Sequence, residues 1–304
     1  MALNCEEVGA VIIGRNEGSR LATCLHSVCA QLSSVVYVDS GSTDDSLKIA
    51  QSLGVEVVNL PPSPPFTAAR ARNAGVRQLR ETAPNVQLVQ FLDGDCELQP
   101  EWLEEALSFL AEHPDAAVVC GRRRERFPDA TPYNRLCDLE WDSPVGPALA
   151  CGGDSLMRLS AFEQANGFTD ALIAGEEPDL CFRLRQLGWT VHRLPVEMTL
   201  HDANMTRASQ WWQRMVRSGY AVAEAYKRRG AYEPDIRRQL VSNVVWALPP
   251  AWLFWPLLWI RVSQRRGALY ASHIVLGKLP HLVGQVTFWW RDWRQKPAKL
   301  IEYK

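Results

Sequence analysis

The chain has 304 residues, 47% of them hydrophobic and 22% charged, with a formal net charge of −1. That is enough apolar surface for a substantial core, which excludes a disordered or collagen-like chain. The small net charge hides a division: residues 1–204 carry 16 basic and 29 acidic side chains, and residues 205–304 carry 17 and 5. The acidic part suits metal ions, and the basic, apolar-rich part suits anionic lipid in preference to nucleic acid.

In chain order, residues 8–13 read as a strand and 20–31 as a helix with Leu21, Cys24, Leu25 and Val28 on one face. A second strand at 35–38 precedes Ser42-Thr43-Asp44-Asp45, whose side-chain oxygens suit the start of a helix running to about Leu53. A third strand at 55–58, the loop Pro61-Pro62-Ser63-Pro64-Pro65, a helix over 68–80 and a strand over 86–92 follow. Strands alternating with helices at this spacing predict an α/β fold, a mostly parallel sheet flanked by helices. Ligands of such sheets collect beyond the carboxyl ends of the strands, where Asp39 and Asp93-Gly94-Asp95 fall. Two carboxylates one residue apart can hold a divalent cation against a diphosphate, and the glycine between them lets a ligand approach. Asp-Gly is also ordinary turn chemistry.

Further on, 100–112 reads as a helix, 116–121 as a strand and 122–147 as a loop-rich excursion near the site. The segment 148–158 resumes an apolar run interrupted by Gly152-Gly153-Asp154, 176–187 has helix character, and 189–194 is a final strand before Met198-Thr-Leu-His201. The character changes near Met205. Residues 207–229 predict a long basic helix, and 240–260 run 21 residues without a charge, broken by Pro249, Pro250 and Pro256. Basic residues flank both ends of that run, as in a re-entrant hairpin, and 268–293 mixes aliphatic residues with Trp289, Trp290 and Trp293 as an interfacial helix does. A buried helical hairpin is the alternative. The expected division is 1–205 and 206–304, with 240–260 at a membrane. Eight scattered cysteines without a Cys-x-x-Cys pair, and an N-terminus without an apolar signal stretch, suggest a reducing compartment, no zinc and no export.

Five stretches, in order, resemble the family-two glycosyltransferases of the GT-A fold. They are Val11-Ile-Ile-Gly-Arg-Asn-Glu17, Val38-Asp-Ser-Gly-Ser-Thr-Asp44, Ala69-Arg-Ala-Arg-Asn-Ala-Gly75, Asp93-Gly-Asp95 and Gly175-Glu-Glu-Pro-Asp-Leu-Cys-Phe-Arg-Leu184. The resemblance covers about residues 8–204. It implies an inverting enzyme that uses Mg2+ or Mn2+ and a nucleotide-diphosphate sugar, UDP- or GDP-linked. Asn16 and Glu17 would border the nucleotide, Asp39 would bond the base, and Arg72 would reach the nucleotide. Asp93 would contact ribose or metal, Asp95 would be the direct metal ligand, and His201 a further one. Glu177 would be the catalytic base with Glu176 orienting the acceptor, and Asp154 would help shape the sugar or acceptor pocket. Each has a structural alternative: a turn aspartate for Asp39, a solvated helix arginine for Arg72, a core histidine for His201, and acids complementing a helix dipole for the two glutamates.

Gln210-Trp-Trp-Gln-Arg214-Met215 lacks the Gln-x-x-Arg-Trp spacing of processive relatives, so a single addition is expected. The expected acceptor is lipid-linked or a saccharide, in cell-surface polysaccharide or glycolipid synthesis at the cytoplasmic face of the cell membrane. The alternatives are a polyprenyl-phosphate glycosyl synthase and a non-catalytic nucleotide-sugar-binding membrane scaffold.

Overall fold

The computed structural model describes residues 3–296 and 301. A short 3-10 turn, Cys5–Glu7, leads into β1 (Val8–Gly14), α1 (Ser19–Cys29), β2 (Ser34–Asp39), α2 (Ser46–Ser52), β3 (Glu56–Asn59), α3 (Ala68–Thr82) and β4 (Leu88–Asp93). Then come β5 (Cys96–Leu98), α4 (Trp102–Glu112), β6 (Ala116–Glu125), α5 (Pro132–Trp141), β7 (Gly146–Pro147), β8 (Ser155–Arg158), α6 (Leu159–Gln164), α7 (Glu176–Gln186) and β9 (Thr190–His201). Among the described residues these strands form one sheet in the order β3-β2-β1-β4-β8-β6-β9-β5, with β7 on β9. Its central strands are apolar on both faces: Val8 through Ile13 and Leu88 through Leu92 are all buried beneath flanking helices.

The sheet is mixed, which corrects the mostly parallel expectation. β1 to β4 run parallel, as do β6 and β9, but β8 is antiparallel to β4 and β6, and β5 and β7 are antiparallel to β9. Apolar runs reveal strands without their direction. A parallel neighbour needs a crossover of about a dozen residues or more, so β5, which follows β4 after two residues, cannot lie parallel beside it. Two other expectations also shift. β6 continues through the charged residues Arg122 to Glu125, and β9 is one strand of 12 residues reaching His201. In both, charged side chains at the site interrupt the apolar pattern.

Register sets the site. Gly14 pairs with Asp39 and Ile13 with Asp93, so the carboxyl ends of three strands finish level. Phe91 pairs with Ser155, which brings Asp154 to the end of β4. His201 pairs with Cys96 on one side and with Glu125 on the other.

The chain divides into two compact units. The first comprises Met1–Arg126, Trp141–Leu172 and Glu176–Ala203, and the second Phe127–Glu140, Ile173–Gly175 and Asn204–Lys304. The main boundary, between Ala203 and Asn204, falls beside the change of charge near residue 205, and the short stretches Phe127–Glu140 and Ile173–Gly175 group with the second unit. In the second unit lie α8 (Ala208–Arg229), α9 (Pro234–Ala247), α10 (Pro249–Trp252), α11 (Trp255–Arg266), α12 (Ala268–Leu276) and α13 (Lys278–Trp293). The uncharged run 240–260 is split among three helices. Leu248 takes ψ 141° immediately before Pro249, since a residue preceding proline is pushed out of the helical region. No helix of the described residues is long and apolar enough to cross a membrane.

The second unit's own core gathers Ile173, Tyr220, Ala223 and Phe288, with the Tyr220 and Phe288 rings edge to face at 5.2 Å. Helices α8 and α13 approach through glycines. A Cβ on Gly284 would lie 2.0 Å from the Val216 carbonyl oxygen, and one on Gly219 would lie 2.1 Å from that of His281. Those neighbours are backbone and cannot swing aside. We expect Gly284→Ala to cost at least about 1–3 kcal/mol of stability by overpacking, read as a lower midpoint in tryptophan-fluorescence denaturant melts. An unchanged midpoint would contradict this helix crossing.

Candidate active site

Each helix motif divides its residues between scaffold and site. On α3, the Thr67 hydroxyl caps the helix by accepting from the Arg70 N–H at 3.1 Å. Arg70 itself holds the proline-rich loop by donating to the Pro61 carbonyl at 2.7 Å. Asn73 grips the loop before α7, donating to the Phe168 carbonyl at 2.8 Å and accepting from its N–H at 2.9 Å. Arg72 alone in this motif turns into the site. On α7, Asp179 accepts from Thr169 at 2.9 Å and Arg183 at 3.1 Å, anchoring the helix. Gly175 takes φ 77°, a left-handed turn that leads the chain into α7 with Glu176 and Glu177 in its first turn.

Arg72 is buried and shared among three carboxylates. Its guanidinium donates to Asp93 at 2.8 Å, Glu176 at 2.9 Å and Glu177 at 3.1 Å, and lies over the Phe168 ring. Arg123, on β6, repeats the arrangement. It reaches Asp93 Oδ2 at 3.0 Å, donates through Nε to Asp154 Oδ2 at 2.8 Å, and packs over Trp141. Asp154 is fully buried, and its oxygens also accept from the Asp93 N–H at 3.1 Å and the Thr199 hydroxyl at 2.7 Å. The result is a relay, Glu176/Glu177–Arg72–Asp93–Arg123–Asp154, tying α7, α3, β4, β6 and the Gly152-Gly153 loop together. Desolvation works against both buried guanidinium ions, yet the surrounding carboxylates hold each well charged.

Beside the relay lies a second cluster. His201 Nε2 is 3.3 Å from Asp95 Oδ2, its Nδ1 is 3.5 Å from Glu125 Oε2, and the Trp141 ring meets it edge-on. Asp95, Cys96 and His201 bring ligand atoms within 4.8 Å of one another, all buried. Burial lowers the His201 pKa, favouring the neutral imidazole that a metal ligand must be. His201 Nδ1 has no hydrogen-bond partner within 3.5 Å that meets normal geometry, and Glu125 stands on that side, as a carboxylate that orients a ligating histidine does. The donor set of carboxylate and imidazole suits Mn2+ and is acceptable to Mg2+. Asp93, Asp154, Glu176 and Glu177 meet the two guanidinium ions and Asp95 and Glu125 meet the imidazole, so carboxylates dominate a site whose charge a divalent cation would help to balance.

The two glutamates differ in access. Glu176's side chain keeps 4% of its surface exposed and Glu177's 15%, so only the latter is open to an incoming hydroxyl. Burial, and then the charge of Glu176, push the Glu177 carboxyl up to about 7 against the pull of Arg72.

The other residues predicted from sequence take quieter places. Both Asp39 oxygens are engaged, by the Gly41 and Ser42 N–H groups at 2.9 and 2.8 Å and by the Tyr37 hydroxyl at 3.0 Å, so its carboxylate holds the turn after β2. Asn16, at φ 56°, braces the neighbouring loop by accepting from the Thr43 N–H at 2.7 Å. Glu17 pairs with Arg20 at 2.8 Å. Asp154, expected to help shape the sugar or acceptor pocket, is fully buried and accepts from Arg123 and from the Thr199 hydroxyl. Asp93, expected to contact ribose or metal, accepts from Arg72 and Arg123 through its two oxygens, and it also forms with Cys96 and Asp154 a second group whose ligand atoms lie within 4.8 Å of one another. Arg123, Glu125, Trp141 and Thr199 were not foreseen. The signal was there in Arg122-Arg123-Arg124-Glu125, where period-two alternation points Arg123 and Glu125 to one face.

A family model described as Glycosyl transferase family 2 matches residues 10–146. The pre-mycofactocin glycosyltransferase of Mycobacterium tuberculosis is 29% identical over 256 residues, 78% of this chain and 50% of that protein. The O-antigen chain rhamnosyltransferase of Salmonella anatum is 26% identical over 204 residues, 62% of each chain. The chain thus spans from about half to under two thirds of the length of these relatives. Among solved structures, the fold resembles a mannosyltransferase from Pyrobaculum calidifontis in complex with GDP-Man and Mn2+. The TM-score is 0.65 with 16% identity, over 93% of this chain and 87% of that one.

Gly153 makes the relay sterically testable. A Cβ there would lie 2.8 Å from Arg72 Nη2 and 2.9 Å from Asp93 Oδ2. Gly153→Ala should therefore wedge into the Arg72–Asp93 pair and, on the transferase reading proposed below, lower donor turnover by about 10²-fold, the usual cost of misplacing a reacting group by about an ångström. Turnover equal to that of the unmodified chain would show that the relay does not position the chemistry.

Proposed function

We propose that the chain, whose residues 10–146 match the Glycosyl transferase family 2 model, moves a sugar from a nucleoside-diphosphate donor to an acceptor hydroxyl with inversion. The observation that carries this reading is Glu177, a reachable carboxylate with an elevated pKa, tied through Arg72 and Asp93 to the strand end that leads into Asp95. Glu177 takes the hydroxyl proton while the oxygen attacks the anomeric carbon, and the bond from that carbon to the diphosphate oxygen breaks. One displacement exchanges one face of the sugar for the other. Asp95 and His201 would hold a divalent cation, Mg2+ or Mn2+, which neutralises charge on the leaving diphosphate. Arg72 holds Glu177 in place, and Glu176, paired to the same guanidinium, keeps the base from relaxing toward it alone.

The acceptor side is read from the second unit. Leu253 is 82% exposed and Leu257 64%, and Phe254, Trp252 and Trp259 join them on α10, α11 and the turn between. Arg237, Arg238, Arg261, Arg265 and Arg266 flank this crest in sequence. Apolar side chains bordered by arginines complement an anionic bilayer, and the crest would lie in the headgroup boundary without crossing it. We place the chain at the cytoplasmic face of the cell membrane, acting on a lipid-linked or saccharide acceptor. Cell-surface saccharide synthesis is supported by the O-antigen chain rhamnosyltransferase among the relatives.

Three outcomes test this. Glu177→Gln should lower turnover about 10²- to 10⁴-fold, the range of general-base catalysis, and an unaltered rate would remove the base assignment. Because Glu177 must be ionised to accept a proton and its pKa is held at about 7, kcat/KM should rise with pH through neutrality and level off above it. A rate independent of pH across that window would contradict the role. Replacing Leu253 and Leu257 together by glutamate should weaken sedimentation with anionic vesicles by about two orders of magnitude, from the loss of two inserted leucines. Undiminished sedimentation would show that the crest does not touch lipid.

A further inference from the structure

Two arginines share one carboxylate where β6 and β9 run side by side. Asp142 Oδ1 lies 3.4 Å from Arg122 Nη1 and 3.7 Å from Arg193 Nη2, and all three residues belong to the first unit. Both separations exceed the roughly 2.7–2.9 Å of a charge-assisted hydrogen bond. The Asp142 side chain is 52% exposed, whereas that of Arg193 is 4% exposed and its Nη1 is buried without a hydrogen-bond partner. A desolvated guanidinium is costly unless closely paired. A loosely placed, exposed aspartate is a weak partner for it, and one that can leave.

The approach is open. Asp142 begins a run of four exposed residues, Asp142-Ser143-Pro144-Val145. Gly146 follows and pairs with Arg193 across β7 and β9. Partners directly opposite on antiparallel strands project to one face, and a Cβ on Gly146 would meet nothing within 4 Å. The glycine thus leaves open space beside the arginine. The same holds at Gly152, next to the Gly153 that packs against Arg72 and Asp93. The six residues from one glycine to the other reach at most about 22 Å, so the two openings are no further apart than a short oligosaccharide can bridge.

We infer that Arg193 and Arg122 form a subsite for a carboxylate borne by the acceptor, which is therefore an acidic saccharide of the uronic acid class. A carboxylate already occupies the place in the form of Asp142, and a guanidinium fork takes both oxygens of such a group at once. The acceptor's carboxylate displaces Asp142 into solvent and pairs with the buried Arg193, so the exchange leaves the charge beside the arginines unchanged. The inference rests on the transferase reading above and narrows its acceptor: the hydroxyl is offered to Glu177 by a saccharide anchored through its acid group.

The test titrates the full chain calorimetrically with hexuronic acid oligosaccharides, and with the same oligosaccharides after reduction of their carboxyl groups to neutral hydroxymethyl groups. The intact chain should bind the acidic set about tenfold or more tightly, as expected for hydrogen bonds between charged groups. Arg193→Met should abolish the difference, and Arg193→Lys, which keeps the charge without the fork, should retain part of it. Asp142→Asn should tighten binding of the acidic set severalfold, because it removes the internal competitor. A purely structural Arg193–Asp142 pair predicts no such gain. Thermal melts establish that each variant is folded. No preference in the intact chain, or no gain in Asp142→Asn, would overturn the inference. Displacement of the acidic oligosaccharides by inorganic phosphate at equal concentration would assign the arginines to a free anion and overturn the saccharide class. Hydrolysis of the nucleotide sugar by the intact chain without acceptor tests the transferase reading separately: its absence sinks that reading, whereas hydrolysis without an acidic preference sinks only this one.

Discussion

A single guanidinium, Arg72, shared among Asp93, Glu176 and Glu177, is the constraint on which the active site depends. Three carboxylates this close would repel one another and drift apart in water or take up protons. A buried arginine permits the cluster because its planar fork offers several donors in fixed directions and it does not give up its charge. It also joins elements far apart in sequence, 104 residues separating Arg72 from Glu176. Losing such an ion leaves buried charge uncompensated, typically about 3–5 kcal/mol. Arg123 extends the same device to Asp154, so a relay of alternating charge underlies the whole floor of the site.

The mixed sheet explains how so many polar groups meet. Parallel pairing of β1, β2 and β4 brings three carboxyl ends level, and the antiparallel β8 enters beside them from the opposite direction to deliver Asp154. His201 is placed by pairing on both sides, to Cys96 and to Glu125. Its position is therefore set by backbone hydrogen bonds of the sheet rather than by loop packing. That rigidity would suit a cation ligand, because the ligand set would need no assembly when an ion arrived.

Much of this was legible beforehand, and the rest was hidden for physical reasons. Strands β1, β2 and β4 carry clean apolar runs, because they are buried along their length and meet charge only at their carboxyl ends. Asp95, Glu177 and Arg72 stood in recognisable local motifs. Arg123 and Glu125 did not, since a strand that carries charge into a site looks like a loop by hydropathy. At Asp39, Asn16 and Asp154 the motif picks out the residue, while the hydrogen bonds that tie each to a turn or to the floor of the site come only from the structure. Strand direction and the membership of Phe127–Glu140 in the second unit depend on long-range packing that no local window contains.

The account requires that the acidic cluster bind its donor only when a cation relieves it. Calorimetric titration of UDP and of GDP into the full chain, with Mn2+ and again with a chelator, addresses this directly. Saturable binding of one nucleotide in the presence of Mn2+, abolished by the chelator and by His201→Ala, is the predicted result. Equal affinity with and without the ion would contradict it.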